Sequence, residues 1–446
     1  MKFISVSLGI CLSIAVVAHA QVPGPEIKKT PDGYCLLRNT AAYAAATQFT
    51  PTSLGECLQS GGVLPQPPEG IQPNGLQIYC RGVDCVDSLS KFKAVYPIQP
   101  SGRPRPLPLA TSLNFKQRAL IQNANRIFDT SPTLAILLVE KGEVIFERYH
   151  PQVGPKTPLL GYSMSKSLTA LTVGRVHCSG LLPDLDRKAK SYDDRLAGTQ
   201  YGEATVRHLL MMASGAARGS VKRGGNPLNP PAHVPNAFAG NPWYAGYADV
   251  QKQLHDYGAP QKKPDQSLVT AGEEFSYKNF DTQALAFVAG GQDRPEFSTS
   301  FSTMFWPGVQ AEDLAYWIHD QKGITHTPAS FHATLRDWAR IGLHIMDERR
   351  TPTGDCYNRF VEKASTTQIQ NQSKSFGDDL WLGRSFQGYG YQIWTENFED
   401  PHGTFYLNGY RGQRIAINPV RQQMMVVFSA QENYMDKLYQ LFASWK

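Results

Sequence analysis

The order of helix and strand patterns along this chain predicts an α+β fold, in which an antiparallel sheet is flanked by terminal helices and a helical subdomain is inserted between its strands. An amphipathic helix over 114–128 and a strand pair over 133–150, turning at Lys141-Gly142, come first. At the other end, TFYLNG, QRIAINP and QQMMVVFSA are typical of three short strands, and a helical pattern from Met435 to Trp445 follows them. The stretch from about Ser163 to Met346 has mostly helical periodicity, which makes it the inserted subdomain.

The composition is that of a globular protein without nucleic-acid-binding chemistry. Of the 446 residues, 41% are hydrophobic and 11% aromatic, which is enough for a large core. The formal net charge is +6, or +5 without Lys2, and the sequence has no dense Lys/Arg stripe with interleaved aromatics. We therefore expect a small-molecule partner and no nucleic acid.

Residues 1–20 have the pattern of a cleaved secretory signal. An apolar run from Phe3 to about Ala18 leads into the small-x-small triplet Ala18-His19-Ala20. The run is shorter than the roughly 20 apolar residues that span a bilayer. Cys11 lies mid-run, a poor context for lipid attachment. The pattern predicts a mature chain that begins at Gln21, is exported to the periplasm or secreted, and has no stable membrane anchor.

The composition predicts an N-terminal segment, a linker and one main domain. Segment 21–96 is rich in Gly and Pro and contains four cysteines. The sequence PIQPSGRPRPLP over 97–108 holds five prolines, which exclude helix and central strand and predict a semi-rigid linker. The main domain then spans 109–446.

The cysteines favour disulfides over metal ligation. Seven cysteines minus Cys11 leave six, an even number in an oxidising compartment, and no C-x-x-C pair occurs. We therefore expect no metal and no cofactor. If pairing stays within domains, Cys178 pairs with Cys356. The other four cysteines allow three connectivities, of which the one with a tight Cys80–Cys85 loop leaves Cys35 with Cys57.

The stretch GYSMSKSL begins at Gly161 and places serines around a Met-Lys pair at the predicted start of a buried helix. Lys166 is three residues after Ser163, so their side chains share a helix face, whereas Ser165 and Ser167 point elsewhere. A serine becomes a good nucleophile when a base takes its proton, and a desolvated lysine with a lowered pKa can be that base. Free N–H groups at the helix start also favour developing negative charge. The commoner explanation of such a tetrapeptide is a serine N-cap with a lysine that reaches solvent.

Two further segments carry polar groups suited to the same chemistry. GEEFSYKNFDTQALAF places Tyr277 and Asn279 two residues apart, so an extended segment projects both side chains the same way. YLNGYRGQRI sets Gly409 at a turn-rich strand edge, where a backbone N–H can approach a ligand. The stretch 214–246 is rich in Gly and Pro, and aromatic residues occur from Trp243 to Tyr247 at its end. A loop of this length is either a wall or lid over a site or a flexible loop on the surface.

Ser163-x-x-Lys166 together with Tyr277-Lys278-Asn279 resembles the motifs of serine β-lactamases and penicillin-binding proteins, the triplet in the Tyr-x-Asn form of class C β-lactamases. VRHLLMMASG over 206–215 and LRDWARIGL over 335–343 are similar to recurrent segments of that superfamily. From about residue 110 to 446 the chain looks like the class C-related hydrolases, which include 6-aminohexanoate-dimer hydrolases and family VIII carboxylesterases. The resemblance implies a β-lactamase/transpeptidase-like fold.

The resemblance also implies roles for individual residues. Ser163 would attack a substrate carbonyl, and Lys166 and Tyr277 would share the proton transfers of an acyl-enzyme mechanism. Backbone N–H groups of Ser163 and of Tyr410, beside Gly409, would form the oxyanion hole. Asn279 would hold the substrate.

The third motif departs from the family pattern. Aligned on Gly409, Leu407-Asn408-Gly409 replaces Lys-Thr-Gly, so the cation that helps to bind a β-lactam carboxylate is missing at its usual position. Arg411, two residues on, is a candidate for binding an anionic group. We therefore expect hydrolysis of an ester or amide, with β-lactamase or D,D-peptidase activity as the alternative.

Two other interpretations remain open. Gly161-Tyr162-Ser163-Met164-Ser165 nearly matches the G-x-S-x-G elbow of α/β-hydrolases, but the strand pattern is not that of a doubly wound sheet. The chain can also be an exported binding protein that kept the penicillin-recognition fold without turnover. The intact Ser163, Lys166 and Tyr277 argue against that second interpretation.

Overall fold

The computed structural model describes residues 26–30, 33–37, 95–150, 153–217, 250–263, 265–291, 296–319, 322–350, 354–371, 386–400, 403–429 and 435–445. Several predicted features lie outside these ranges: the signal over 1–20, three of the N-terminal cysteines, and the aromatic stretch from Trp243 to Tyr247. The export signal and the pairing of those cysteines therefore stay predictions.

The described strands form three antiparallel sheets. In chain order the strands are β1 Glu26–Thr30, β2 Gly33–Leu37, β3 Val95–Ile98, β4 Thr133–Glu140, β5 Glu143–Tyr149, β6 Leu159–Leu160, β7 Ala315–Ile318, β8 His332–Ala333, β9 Ile369–Gln370, β10 Phe386–Tyr389, β11 Trp394–Asn397, β12 Phe405–Gly409, β13 Gln413–Asn418 and β14 Gln423–Ser429. The main sheet has eight strands in the order β5-β4-β14-β13-β12-β11-β10-β9. A second sheet has the order β3-β7-β8-β6, and β1 pairs with β2, which contains the backbone of Cys35.

The helices lie before, between and after these strands. They are α1 Phe115–Asp129, α2 Met164–Cys178, α3 Gln200–Glu203, α4 Val206–Leu210, α5 Val250–Asp256, α6 Asn279–Gly290, α7 Phe297–Ser300, α8 Trp306–Val309, α9 Leu335–Arg350, α10 Cys356–Ala364 and α11 Met435–Ser444. Short 3-10 turns occur at Ala189–Ser191, Asp194–Leu196 and Tyr410–Gly412, and a π-helical turn occurs at Phe301–Phe305.

The main sheet is buried on both faces, as the predicted architecture requires. Leu138 of β4 and Val427 of β14 lie in one apolar cluster with residues of the terminal helices α1 and α11. Leu407 of β12 and Val426 of β14 lie in the other, with residues of α2, α6 and α9. A strand that is covered on both faces has a continuous run of apolar residues instead of an alternating pattern. This explains the sequence QMMVVFS in β14. The predicted antiparallel sheet with flanking terminal helices and an inserted helical region is confirmed.

Local sequence signals explain the start of this domain. Asn114 caps α1 in a reciprocal capping box with Gln117, which accounts for the helix start. The hairpin β4–β5 turns at Lys141 and Gly142, whose φ angles of 51° and 86° are those of a tight two-residue turn. Both elements match the sequence prediction. The predicted helical middle additionally contains the short strands β7 and β8, and β6 lies just before it; all three are too short to leave a period-two signal.

The Pro-rich segment 97–108 runs along the surface of the main body. Its first two residues belong to β3, an edge strand, which is the sheet position that proline tolerates. The N–H of Ser101 donates to the Ala311 carbonyl at 2.8 Å, and the N–H of Arg105 donates to the Gln310 carbonyl at 2.8 Å. The segment is therefore an extended strap that is bonded to the main body. The division of the chain into domains at this segment stays a prediction.

A disulfide joins Cys178, the last residue of α2, to Cys356, the first residue of α10. The two helices also pack closely, since a Cβ on Gly174 of α2 would lie 2.4 Å from the ring of Phe360 in α10. The predicted Cys178–Cys356 pair is confirmed. In the part of the chain that the structure describes, no helix is both long enough and apolar enough to span a bilayer.

Candidate active site

Ser163 lies at the first turn of α2 and is paired with Lys166. Its Oγ lies 2.9 Å from Lys166 Nζ, and its side chain makes no capping hydrogen bond to the helix. Lys166 is only 1% exposed and does not reach solvent. These observations exclude the explanation of the tetrapeptide as an N-cap serine with a solvated lysine.

The residue before Ser163 has a strained backbone. Tyr162 has φ +47°, a left-handed conformation that is uncommon for a bulky residue. Such outliers occur at functional sites, where the surrounding structure holds them. Tyr162 lies in the short connection between β6 and α2, directly before Ser163 at the start of α2.

Lys166 is held where a neutral amine is favoured. Its Nζ donates a hydrogen bond to the carbonyl of Pro328 at 2.8 Å, on the segment that leads to β8. Burial lowers the pKa of Lys166 well below its ordinary value, because the charged ammonium is removed from water. A neutral lysine in contact with a serine hydroxyl can accept its proton.

The other two serines of this stretch have structural partners. Ser165 Oγ accepts a hydrogen bond from the N–H of Phe331 at 3.0 Å, and Ser167 Oγ donates to the carbonyl of Gln392 at 2.6 Å. Both hydroxyls are buried and tie α2 to its neighbours. Ser163 is thus the serine of this stretch whose hydroxyl contacts a basic group.

Tyr277 lies beside Lys166. The Lys166 Nζ is 5.0 Å from the centroid of the Tyr277 ring. That ring is fixed by Trp394 of β11, stacked at 5.3 Å between centroids, and by Tyr389 of β10, edge-on at 6.2 Å. The second sequence motif therefore meets the first, and strands of the main sheet position it.

Asn279 is buried at the same place, but its local structure differs from the prediction. The expected extended segment ends at Lys278, and Asn279 is the first residue of α6. The helix is favoured because the following residues pack on all sides in the core. Asn279 Oδ1 is buried and accepts no hydrogen bond among the described residues.

A buried carboxyl group, that of Asp281, lies two residues beyond this motif in α6. Asp281 Oδ1 accepts a hydrogen bond from the Ser214 hydroxyl at 2.7 Å, and the N–H of Ser214 approaches Oδ2 at 3.3 Å. Burial raises the pKa of Asp281 to about 6, against the opposing charge of Lys278 and the Ser214 hydrogen bonds. This contact ties α6 to the segment after α4.

The end of β12 packs against the residues that precede Ser163. A Cβ on Gly409 would lie 2.2 Å from the carbonyl oxygen of Gly161, so only glycine allows the two backbones this close. The rings of Tyr162 and Tyr410 meet edge-on at 5.7 Å between centroids. Gly409 and Tyr410 therefore lie beside the candidate nucleophile, as the third motif predicts.

The third motif offers no cation at its first position. Leu407 is fully buried in the apolar cluster with α2 and α6. Arg411 lies in the 3-10 turn after β12, and its side chain is outside what the structure describes. Its predicted contact with an anionic group stays a prediction.

Two groups beside Lys166, the Pro328 carbonyl and His326, and one carboxyl group in α6, Asp281, are absent from the sequence motifs. The Pro328 carbonyl leaves no sequence signal, since any residue supplies one. His326 is buried near Lys166, and burial is the main cause that lowers its pKa to about 3. Asp281 has a recognisable signal, an acidic residue within the otherwise uncharged helix NFDTQALAFVAG. Among the residues described, no group of three or more His, Cys, Asp or Glu side chains is arranged to hold a metal ion.

An antiparallel sheet with terminal helices on one face and a buried Ser-x-x-Lys pair on the other defines a β-lactamase-like hydrolase. The sequence profile of the Beta-lactamase family matches residues 124–441, more than half of the chain, and the protein belongs to this family. A 6-aminohexanoate-dimer hydrolase of Paenarthrobacter ureafaciens is 25% identical over 305 residues, covering 67% of this chain and 72% of that protein.

Solved structures show the same fold. A Bacillus anthracis protein assigned as a 6-aminohexanoate-dimer hydrolase has a TM-score of 0.57 and 20% identity, covering 80% of this chain and 90% of its own. A class C β-lactamase in complex with cefoxitin has a TM-score of 0.51 and 14% identity, covering 74% of this chain and 97% of its own. These similarities establish a β-lactamase-like fold and a hydrolase family, and they exclude the doubly wound α/β-hydrolase fold.

Proposed function

We propose that this protein is an exported serine hydrolase that cleaves an ester or amide bond through an acyl-serine intermediate. The observation that carries the proposal is the 2.9 Å contact between Ser163 Oγ and a fully buried Lys166 whose pKa burial lowers. Removing a lysine ammonium from water costs free energy, so a buried lysine tends to be neutral. A neutral lysine amine in contact with a serine hydroxyl at a helix start is suited to activate that serine as a nucleophile.

The proposed reaction follows from the arrangement of the site. Neutral Lys166, with Tyr277 beside it, takes the proton of Ser163 as Oγ attacks the substrate carbonyl. The N–H groups of Ser163 and Tyr410 stabilise the oxyanion. Collapse of the tetrahedral species breaks the ester or amide bond, and the proton passes to the leaving alcohol or amine. Water then attacks the acyl-enzyme and gives a proton to the same base. Collapse of this second tetrahedral species breaks the bond to Oγ and releases the acid, and the base returns the proton to Oγ, which regenerates Ser163.

The substrate class rests on the third motif and on the relatives. Leu407 occupies the place where the resembled β-lactamases have a lysine, and it is buried in the core, so it cannot bind a carboxylate. An arginine from a different position rarely reproduces the geometry of a lysine, because its guanidinium is longer and planar. We therefore expect small esters or ω-amino-acid amides, the linkage in the 6-aminohexanoate dimer, to be preferred over cephalosporins.

The test measures the turnover of four classes of substrate by the wild-type protein and by a variant without the proposed nucleophile. Purified full-length protein and Ser163→Ala are assayed on short p-nitrophenyl esters, 6-aminohexanoate oligomers, D-Ala-D-Ala peptides and a chromogenic cephalosporin. We expect wild-type turnover of an ester or ω-amino amide, loss of turnover in Ser163→Ala, and an unchanged melting temperature. Efficient cephalosporin turnover with negligible esterase activity would favour a β-lactamase or D,D-peptidase instead. Wild-type protein that a fluorophosphonate probe does not label at Ser163 would favour a binding protein without turnover.

Export is proposed on the N-terminal pattern and is supported by the Cys178–Cys356 disulfide, because such bonds persist in oxidising compartments. N-terminal sequencing of the protein recovered from the periplasm or medium of an expressing bacterium should give Gln21 as the first residue. Recovery of the uncleaved chain from the cytoplasm alone would refute this part of the proposal.

A further inference from the structure

The peptide groups on either side of Tyr410 are held by two side chains of β13. Arg414 Nη1 donates to the carbonyl of Gly409, and Gln413 Nε2 donates to the carbonyl of Tyr410 at 2.9 Å. These carbonyls belong to the two amide planes that meet at the Cα of Tyr410. Fixing both planes fixes the backbone at the residue whose N–H is the proposed second oxyanion donor.

Arg414 is buried to a degree that is unusual for arginine. It is 2% exposed, and besides Gly409 it donates to the carbonyl of Gln413 at 2.8 Å and to the hydroxyl of Tyr439 in α11 at 2.9 Å. Removing a guanidinium from water is costly, so these hydrogen bonds must offset a large desolvation penalty. The side chain reaches the Gly409 carbonyl from the sheet face that α11 covers, which keeps it away from substrate.

Gln413 connects the same turn to the centre of the sheet. It is fully buried, its Nε2 also donates to the Ser429 carbonyl at 2.8 Å, and its Oε1 accepts from the Ser429 N–H at 3.0 Å. Ser429 is the last residue of β14, so the turn after β12 is bonded across β13 to β14. The amide of Gln413 thus fixes the Tyr410 carbonyl to a rigid part of the main sheet.

The direction of the Tyr410 N–H follows from peptide geometry. The C=O and N–H of a trans peptide point in opposite directions, so a Gly409 carbonyl turned toward a β13 side chain directs the Tyr410 N–H away from β13. The pairing of β11 with β12 ends at Tyr406, so β12 is unpaired on its far side at Gly409. The backbone of Gly161, two residues before Ser163, packs against Gly409.

We propose that Arg414 and Gln413 are positioning residues for the oxyanion hole: they aim the Tyr410 N–H at the carbonyl attacked by Ser163, and Arg414 also polarises that amide. The inference rests on the proposed acyl-enzyme function. A charged donor on the carbonyl of an amide draws electron density through the peptide group, which makes its N–H a stronger donor in a low-dielectric site. Donors that are fixed before the reaction need no reorganisation when the oxyanion forms.

The test separates positioning from stability. Arg414→Met is compared with Arg340→Met, which removes another buried arginine outside the candidate site. Arg340 is 3% exposed, and its Nε donates to the Arg105 carbonyl at 2.9 Å. It also forms ion pairs, with Asp337 at 2.8 Å and Glu312 at 2.6 Å, so its loss should affect stability at least as strongly as the loss of Arg414. For each variant we measure kcat and KM on p-nitrophenyl acetate, the ratio of kcat/KM for an ester and its thionoester, and the melting temperature. The sulfur of a thionoester accepts hydrogen bonds poorly, so this ratio reports the contribution of the oxyanion hole.

We expect Arg414→Met to lower kcat by about 10- to 100-fold with little change in KM, and to reduce the ester-to-thionoester ratio, as expected for a misplaced oxyanion donor. Arg340→Met should lower the melting temperature and leave kcat and the ratio unchanged. Gln413→Met should act in the same direction as Arg414→Met. If Arg414→Met does not fold, Arg414→Lys is used, since it keeps the charge and loses the planar fork.

Labelling of Ser163 by a fluorophosphonate distinguishes failure of this inference from failure of the proposed function. If wild-type Ser163 is not labelled, the acyl-enzyme proposal and the positioning role both fall. If wild-type protein and both Arg414 variants are labelled at the same rate and share one ester-to-thionoester ratio, the positioning role alone is refuted. Slower labelling of the Arg414 variants than of Arg340→Met supports it.

Discussion

Replacing Gly409 by alanine should displace the backbone that forms the candidate oxyanion hole. An alanine Cβ at this position would lie 2.2 Å from the Gly161 carbonyl oxygen, about 1.2 Å short of the 3.4 Å at which ordinary contact begins. The obstacle is backbone, so no side-chain rotation relieves it, and the added Cβ would also lie only 3.0 Å from the Cβ of Gln413. The end of β12 must therefore move away from the residues that precede Ser163.

The size of this shift sets the expected loss of activity. A misplacement of roughly 1 Å in a catalytic arrangement can cost about 100-fold in rate, equivalent to about 2.7 kcal/mol of transition-state stabilisation. Overpacking of this kind should also lower the free energy of unfolding by about 1–3 kcal/mol. We expect kcat on p-nitrophenyl acetate to fall by about two orders of magnitude while KM changes little, because an oxyanion donor acts mainly in the transition state.

Gly342→Ala is the matched control. Its Cβ would also lie 2.2 Å from a neighbour, the Sδ of Met424, but this neighbour belongs to a flexible side chain and lies outside the candidate site. Gly342→Ala should therefore leave kcat unchanged. Wild-type kcat in Gly409→Ala, together with a lowered melting temperature that proves the clash, would refute the placement of the oxyanion hole at Gly409 and Tyr410.

Further predictions concern the base, the disulfide and acid stability. Lys166→Ala and Tyr277→Phe should each lower kcat by about 10²–10⁴-fold, the usual contribution of a general acid–base group. Near-wild-type turnover in one of these variants would show that the substituted residue has no such role. Because burial lowers the pKa of Lys166, the rise of kcat/KM with pH should occur well below the usual lysine value of about 10.4, as a pH–rate profile will show. Replacing both Cys178 and Cys356 by serine should lower the free energy of unfolding, measured in urea, by up to about 5 kcal/mol, because the disulfide closes a loop with a sequence separation of 178. A loss under about 1 kcal/mol would contradict this entropic estimate. Burial lowers the pKa of His344 from 6.5 to about 3 in the folded protein. Between these two pH values His344 binds a proton only when the chain is unfolded, so acid favours unfolding. The free energy of unfolding should therefore be unaffected by protonation of His344 above pH 6.5 and should fall by about 1.4 kcal/mol per pH unit below it. His344→Gln should remove this share of the acid dependence in urea titrations at several pH values.

Local sequence patterns predict the parts of this protein that depend on short-range interactions. The helix after Asn114 and the hairpin at Lys141-Gly142 follow from a capping box and from a turn with positive φ, and both are present. The Ser163–Lys166 pair is of the same kind, because a separation of three residues in a helix brings two side chains together in any fold. The predicted extended conformation at Asn279 is wrong because burial of α6 in the core outweighs local polarity.

Spacing and residue type alone place Ser163 and Lys166 on one helix face, leave Cys178 and Cys356 as the two cysteines after the Pro-rich segment, and show that Leu407 supplies no cation. Long-range packing is what removes Lys166 from water, brings the Tyr277 ring to 5.0 Å from its amine, and presses the backbone of Gly409 against that of Gly161. The reason is physical: a lysine changes from a solvated cation to a candidate base through the burial contributed by chain segments more than a hundred residues away, such as the Pro328 carbonyl. No local pattern encodes that burial, because it arises from the packing of the whole domain.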